Sequence, residues 1–216
     1  MKGVRIKMLE ELIERYPKLY ECKDSIISAR DILTECFENG GKLLVCGNGG
    51  SCADSDHIVG ELMKGFLSKR KIPDTMRAKL GVYSDGEYLA DNLQGALPAI
   101  SLTAHSGLIS AYANDVKADM VYAQQVYGYA KPGDVLIGIT TSGNSANVVN
   151  AAKVAKVCGM KVIGLTGQKQ NLLDDVADAV IHVPETETFK VQELHLPVYH
   201  YLCAACEKRF FANNNY

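Results

Sequence analysis

No stretch of the 216 residues approaches eighteen uncharged apolar positions, so the sequence predicts no membrane-spanning helix. There is no surplus of either charge: 23 basic side chains face 25 acidic ones, a formal net of −2. That balance argues against a protein that coats nucleic acid or lies on a membrane surface, since both want a basic excess. The first twelve residues lack the apolar core of a secretory leader, mixing apolar positions with Lys2, Arg5, Lys7, Glu10 and Glu11. The expected location is the cytoplasm. A disulfide framework is also missing, because the seven cysteines are odd in number and scattered among apolar neighbours. Cys203-Ala-Ala-Cys206 has the C-x-x-C spacing of a zinc knuckle or redox pair, but no second such pair exists. The helical pattern around it favours small thiols on a buried face.

What is present is a globular composition, 47% hydrophobic, enough for the core of one large domain or two small ones. Leu9, Leu12, Ile13 and Tyr16 keep a 3.6 period, Pro17 breaks it, and Ile26 to Phe37 resume it until Asn39-Gly40-Gly41. With little sheet nearby to cover them, residues 1–40 are expected to form a helical segment that packs against another subunit. From residue 41 onward, short apolar runs alternate with helix-period segments. The runs are Leu43–Cys46, Ala99–Leu102, Val135–Ile139, Val162–Leu165 and Ala179–Val183. They read as strands buried on both faces. The helical segments are Cys52–Phe66, Asp115–Tyr129, Ala146–Cys158, Leu172–Val176 and a final helix from about Glu187 to Phe211, ahead of the polar run Asn213–Asn215. Alternation of this kind predicts an α/β fold, a five-stranded parallel sheet with helices on both faces. Ligands in such folds bind beyond the carboxyl ends of the strands. Residues 64–98 do not fit the alternation and read as an excursion placed to cover a site.

Two loops carry the chemistry at that edge. The first strand runs into Gly47-Asn48-Gly49-Gly50-Ser51 and then directly into a helix. Glycines and a helix N-terminus suit an anion, while a plain tight turn with Ser51 as N-cap is the other reading. The loop is neither a dinucleotide fingerprint, since Cys52 takes the third glycine position, nor a P-loop. The third strand ends in Thr140-Thr141-Ser142-Gly143-Asn144-Ser145, again before a helix. Four hydroxyls and a glycine offer what a phosphate monoester needs without a metal. Two such loops on one sheet predict a phosphorylated, polyhydroxylated ligand. On the helix after the first loop, His57 and Glu61 stand four apart on one face, as a surface pair or as two ligands of a divalent ion. The last helix carries Gln192, Glu193, His195 and His200.

Taken together, GNGGS, H-x-x-x-E, Asn114-Asp115, TTSGNS, and Gln192-Glu193 followed by His200 resemble the phosphoheptose isomerases of the sugar-isomerase (SIS) family. The resemblance spans roughly Gly40 to Leu202 with the blocks in the family's order. It implies a three-layer α-β-α sandwich for residues 41–216, the SIS fold, in a homotetramer whose sites lie at subunit contacts. It also implies that Asn48, Gly49, Gly50 and Ser51 contact substrate, with Asn114 and Asp115 on the sugar. Thr140, Thr141, Ser142 and Ser145 would hold the phosphate. By the same resemblance, His57, Glu61, Gln192 and His200 bind one zinc per subunit, Gln192 also reaches substrate, Glu61 is the base and His200 the acid. The implied reaction is aldose–ketose isomerisation of sedoheptulose 7-phosphate to D-glycero-D-manno-heptose 7-phosphate, with no direct nucleic-acid or membrane partner.

Three positions depart from the family pattern: Thr140 replaces a serine, the 64–98 excursion is long, and Pro197 falls between Gln192 and His200. On a straight helix those last two Cα atoms stand roughly 12 Å apart, so the side chains must lean together or come from different subunits to share an ion. The alternatives are an isomerase for another phosphosugar, and a non-catalytic SIS sensor or replication-initiation scaffold. Retention of His57, Glu61, Gln192 and His200 speaks against the scaffold, which needs none of them.

Overall fold

A computed structural model describes residues 2–212, with side chains from Lys7 onward; Met1 and the run Asn213–Asn215 lie outside the described residues. Helices α1 (Lys2–Arg15) and α2 (Lys23–Glu38) flank a 3-10 segment, Pro17–Cys22, set by the proline at its first position. Five strands follow at the predicted apolar runs: β1 (Leu43–Gly47), β2 (Ala99–Ser101), β3 (Val135–Ile139), β4 (Lys161–Thr166) and β5 (Ala179–His182). All pair in parallel, in the order β2-β1-β3-β4-β5.

The central strands alternate between two apolar layers, as a period of two requires. Leu43, Val45, Ile137 and Leu165 join one core with α2 and helix α9 (Thr188–Phe211), while Leu44, Cys46, Leu136 and Val162 join the other. That second layer is covered by α7 (Val121–Tyr129) and α8 (Ala146–Val157). The result is the predicted three-layer sandwich. Leu9 and Leu12 of α1 are buried within the chain, in the same core as α9, so their burial does not wait for a partner.

Several local expectations are corrected. Helix α3 spans Gly50–Met63 with Gly49 as N-cap, so Ser51 lies inside the first turn and does not cap it. Leu172–Val176 is a run of turns and not a helix. There the Asn171 side chain accepts the Leu173 N–H at 3.0 Å and Asp174 accepts the Asn171 N–H at 2.8 Å, taking donors that a helix would need. The expected helix over 115–129 is broken. It starts earlier, as α6 (Ser106–Tyr112), passes through a π segment (Ala113–Lys117) and a 3-10 turn (Ala118–Met120), and only then becomes α7. The excursion folds into α4 (Asp74–Leu80) and α5 (Gly86–Asn92), which pack chiefly on each other. Its two ends are tied together, Gly95 N–H to Arg70 O at 2.7 Å and Leu97 N–H to Leu62 O at 3.0 Å. Its first residues approach the functional side chains: Lys64 Nζ lies against Glu61, and the Phe66 ring centroid is 5.4 Å from that of His200.

Candidate active site

Because β1 sits between β2 and β3, the chain leaves β1 toward one side and later returns on the other. The crevice between β1 and β3 is therefore the topological switch point of the sheet. The glycine loop after Gly47 and the hydroxyl loop after Ile139 emerge there side by side, from residues paired in register. Asn48 and Asn147 lock the loops together, each amide donating to the other's oxygen at 2.9 Å. The Tyr122 hydroxyl donates to Gly47 O at 2.7 Å from below. Gly49 adopts φ 55°, a conformation glycine reaches at no steric cost. Gly50 is required for another reason: a Cβ there would lie 2.6 Å from Gln192 Nε2. The glycine lets the α9 side chain lie against the loop.

The hydroxyl loop is preorganised. Thr140 and Ser145 oxygens stand 2.9 Å apart, Ser142 is 3.4 Å from Thr140, and Ser142 accepts the Asn144 N–H at 3.2 Å. Val148 and Val149 both donate to Ser145 O at 3.0 Å, so the N-terminus of α8 starts at the loop. Thr140, the departure from serine, is buried with its hydroxyl inside this cluster.

Helices α3 and α9 lie alongside each other and carry the remaining candidates. Gln192 meets Gly50, His57 meets Tyr199 and His200, and Cys203 Sγ lies 4.0 Å from Ile58 O. His57 Nε2 is 3.1 Å from Glu61 Oε1, and its Nδ1 is 3.0 Å from the Tyr199 hydroxyl. Tyr199 in turn donates to Asp54 Oδ1 at 3.0 Å. Lys64 Nζ donates to Glu61 Oε2 at 3.0 Å. The His57 and His200 rings stand perpendicular with centroids 5.0 Å apart. Burial first, then the neighbouring His57, pushes the His200 pKa down, with Glu61 opposing the shift. His200 Nε2 is buried without a hydrogen-bond partner.

The structure thus brings His57, Glu61 and His200 together and leaves Gln192 at the glycine loop. Gly50 and Glu61 are eleven residues apart on α3, roughly 16 Å along its axis, so one chain presents two half-sites. Asn114 and Asp115 are exposed on the π segment, where the Asn114 amide donates to Asp115 at 2.8 Å. They bond to neither half-site. Cys203 and Cys206 are buried and form no disulfide, and burial raises the Cys203 pKa well above its ordinary value, as suits an inert core thiol.

Among the described residues, no three His, Cys, Asp or Glu side chains stand close enough as a set to enclose a metal ion. The donor chemistry of His57, Glu61 and His200 nevertheless suits a borderline divalent ion, two imidazoles and a carboxylate, with His200 Nε2 lacking any other partner.

Sequence reasoning missed four contributors. Asp54 lies one turn before His57, and Tyr199 directly precedes His200. Asn147 follows the hydroxyl loop by two residues. Their proximity to the motifs was the available signal. Arg70 had none. Its fully buried guanidinium donates to the carbonyls of Glu61 (2.8 Å) and Leu62 (2.5 Å) and to Glu207 (2.8 Å), capping the end of α3 that carries Glu61.

Comparisons with known proteins agree with this fold. Residues 9–79 and 90–167 match the SIS domain family. The chain is 35% identical to a phosphoheptose isomerase of Synechocystis over 207 residues, 96% of this chain and 93% of that protein. It is 36% identical to a phosphoheptose isomerase of Rhodospirillum rubrum, covering 88% of each. Among solved structures, a phosphoheptose isomerase from Neisseria gonorrhoeae superposes with a TM-score of 0.70 at 30% identity, covering 95% of this chain and 94% of that one. One from Francisella tularensis gives 0.69 at 29% identity, with the same coverage.

Proposed function

The chain belongs to the SIS domain family, on its phosphoheptose isomerase branch, and from that membership we propose an aldose–ketose isomerase acting on a seven-carbon sugar phosphate. The pair is sedoheptulose 7-phosphate and D-glycero-D-manno-heptose 7-phosphate. One observation carries the reading: a loop of clustered hydroxyls and a helix N-terminus sit beside the glycine loop at the β1/β3 switch point. A phosphate accepts hydrogen bonds from all of these donors.

Isomerisation moves a proton from the carbon beside the carbonyl to its neighbour through an enediol. Glu61 takes that proton from carbon and returns it to the adjacent carbon. Its Lys64 partner is exposed and yields easily, since surface ion pairs are worth about 0–1 kcal/mol. His200, kept neutral by its burial, gives its ring proton to the substrate oxygen that becomes a hydroxyl and takes back the proton of the hydroxyl that becomes the carbonyl. Asn48 and Gln192 orient the sugar hydroxyls at the loop. Zinc held by His57, Glu61 and His200 would supply polarisation of the carbonyl. Gln192 would join that set only from another subunit or by leaving Gly50. The roughly 16 Å between the half-sites supports a homotetramer in which neighbouring chains complete each site.

The test is turnover of sedoheptulose 7-phosphate by the wild-type protein and by Glu61→Gln, which keeps size and polarity but loses the base. The variant should lose about a hundred- to ten-thousand-fold in kcat. Wild-type turnover of a different phosphosugar alone would favour another isomerase on this scaffold. A variant as active as wild type would remove Glu61 from the mechanism.

A further inference from the structure

We infer that Asp54 and Tyr199 are positioning residues that hold His57 with its proton on Nδ1, so that Nε2 presents a bare lone pair beside Glu61. The argument is a count of protons along a chain of hydrogen bonds. A carboxylate only accepts, so the 3.0 Å contact between Tyr199 and Asp54 Oδ1 spends the single phenolic proton. Tyr199 keeps that proton at neutral pH, as a phenol with an ordinary pKa of about 10 does. With its proton spent, the Tyr199 oxygen can only accept. The 3.0 Å contact to His57 Nδ1 then requires Nδ1–H. Nε2 of the neutral imidazole is consequently unprotonated, and it faces Glu61 Oε1 at 3.1 Å.

Both of these atoms are acceptors, and a cation between them would satisfy both. A metal ligand must offer an unprotonated nitrogen, and the hydrogen bond at the other ring nitrogen decides which one that is. Tyr199 is 2% exposed and its ring is packed at the α3–α9 contact, so the relay is rigid. His57, by contrast, is 42% exposed at its side chain and would otherwise be free to exchange tautomers with solvent. The importance of this relay for function rests on the reading of His57 as a ligand, but the tautomer itself does not.

The experiment therefore has two arms on the full-length protein. The first is long-range proton–nitrogen NMR of the metal-free form at about pH 8, above the ordinary histidine pKa of about 6.5. Wild type should show His57 protonated at Nδ1 alone, and Tyr199→Phe, which deletes only the hydroxyl, should show a mixture of tautomers. An Nε2–H tautomer in the wild type, or an unchanged spectrum in the variant, overturns the inference. The second arm measures zinc affinity by competition with a chromophoric chelator. Tyr199→Phe should bind zinc about 10–100-fold more weakly. Asp54→Ala should weaken zinc in the wild-type background and add nothing in the Tyr199→Phe background, because Asp54 acts only through the phenol. Additive losses would break the relay. Should wild type show the Nδ1–H tautomer yet bind no zinc, the metal reading falls while the tautomer assignment stands.

Discussion

His195 sits on α9 with no exposed surface. Burial pushes its pKa down to about 4, with the Thr166 backbone opposing the shift. The unfolded chain, with a histidine pKa of about 6.5, binds a proton more readily than the folded one between those values. Stability from this residue is therefore complete above about pH 6.5 and is lost as pH falls toward about 4. Between pH 7.5 and 5 the loss should be about 2 kcal/mol. Urea denaturation at both pH values would measure it, and His195→Leu should flatten the dependence by that amount. An equally steep dependence in the variant would mean that other groups carry it. His195 was visible in the sequence as a histidine near Gln192. That it lies under the sheet and not in the site follows from its position on α9, five residues before His200 on a helix with 3.6 residues per turn.

At the scale of elements, the strands were legible because each falls on a four- or five-residue apolar run bounded by turn residues, and β3 matches its predicted span residue for residue. The segments that misled are those where a side chain competes with the backbone, as Asn171 does, or where an α-helix is interrupted, as at Ala113–Lys117. Periodicity carries no signal for either. The hydroxyl loop is the element whose role is most directly testable. Ser142→Ala with Ser145→Ala removes two donors from a preformed cluster, each worth about 1.5–3 kcal/mol against a charged phosphate. Calorimetry should show weaker phosphosugar binding with an unchanged melting temperature; unchanged affinity would place the phosphate elsewhere. The junction of α3, α9 and the excursion depends on Arg70 and Glu207, whose side chains are 0% and 3% exposed. Glu207 also accepts the N–H groups of Phe66 and Leu67, each at 2.8 Å. Arg70→Ala alone strands a buried carboxylate and should cost about 3–5 kcal/mol. Arg70→Met combined with Glu207→Leu should cost less than the single change in the same urea titration, because no unpaired charge remains.

For the molecule as a whole, the half-site separation sets the expectation. The switch-point loops and the Glu61 cluster lie at opposite ends of α3, and the expectation is that neighbouring chains complete each site. The outer face of α1 and α2 offers a surface for this, a groove of about 680 Å³ lined by Leu9, Ile13, Tyr20 and Ile27 among others. Light scattering should give the mass of four 23.5 kDa chains, and isomerase activity should fall on dilution below the assembly's dissociation range. A stable, fully active monomer would contradict the shared site.

The sequence alone determined the fold class, the strand positions, the two loops at the switch point and the His57, Glu61 and His200 candidates, because these depend on local periodicity and on motifs a few residues long. The switch point could not be read there, since strand order is a property of the packed sheet. Nor could the placement of Gln192 at Gly50, the Arg70 clamp or the Asp54–Tyr199–His57 relay. Each of those joins residues more than a hundred positions apart, or from an irregular segment, through side-chain geometry that exists only once α3 and α9 lie against each other. Local sequence specifies which helix forms and which face is apolar; the pairing of one face with another is decided by the shared burial of both.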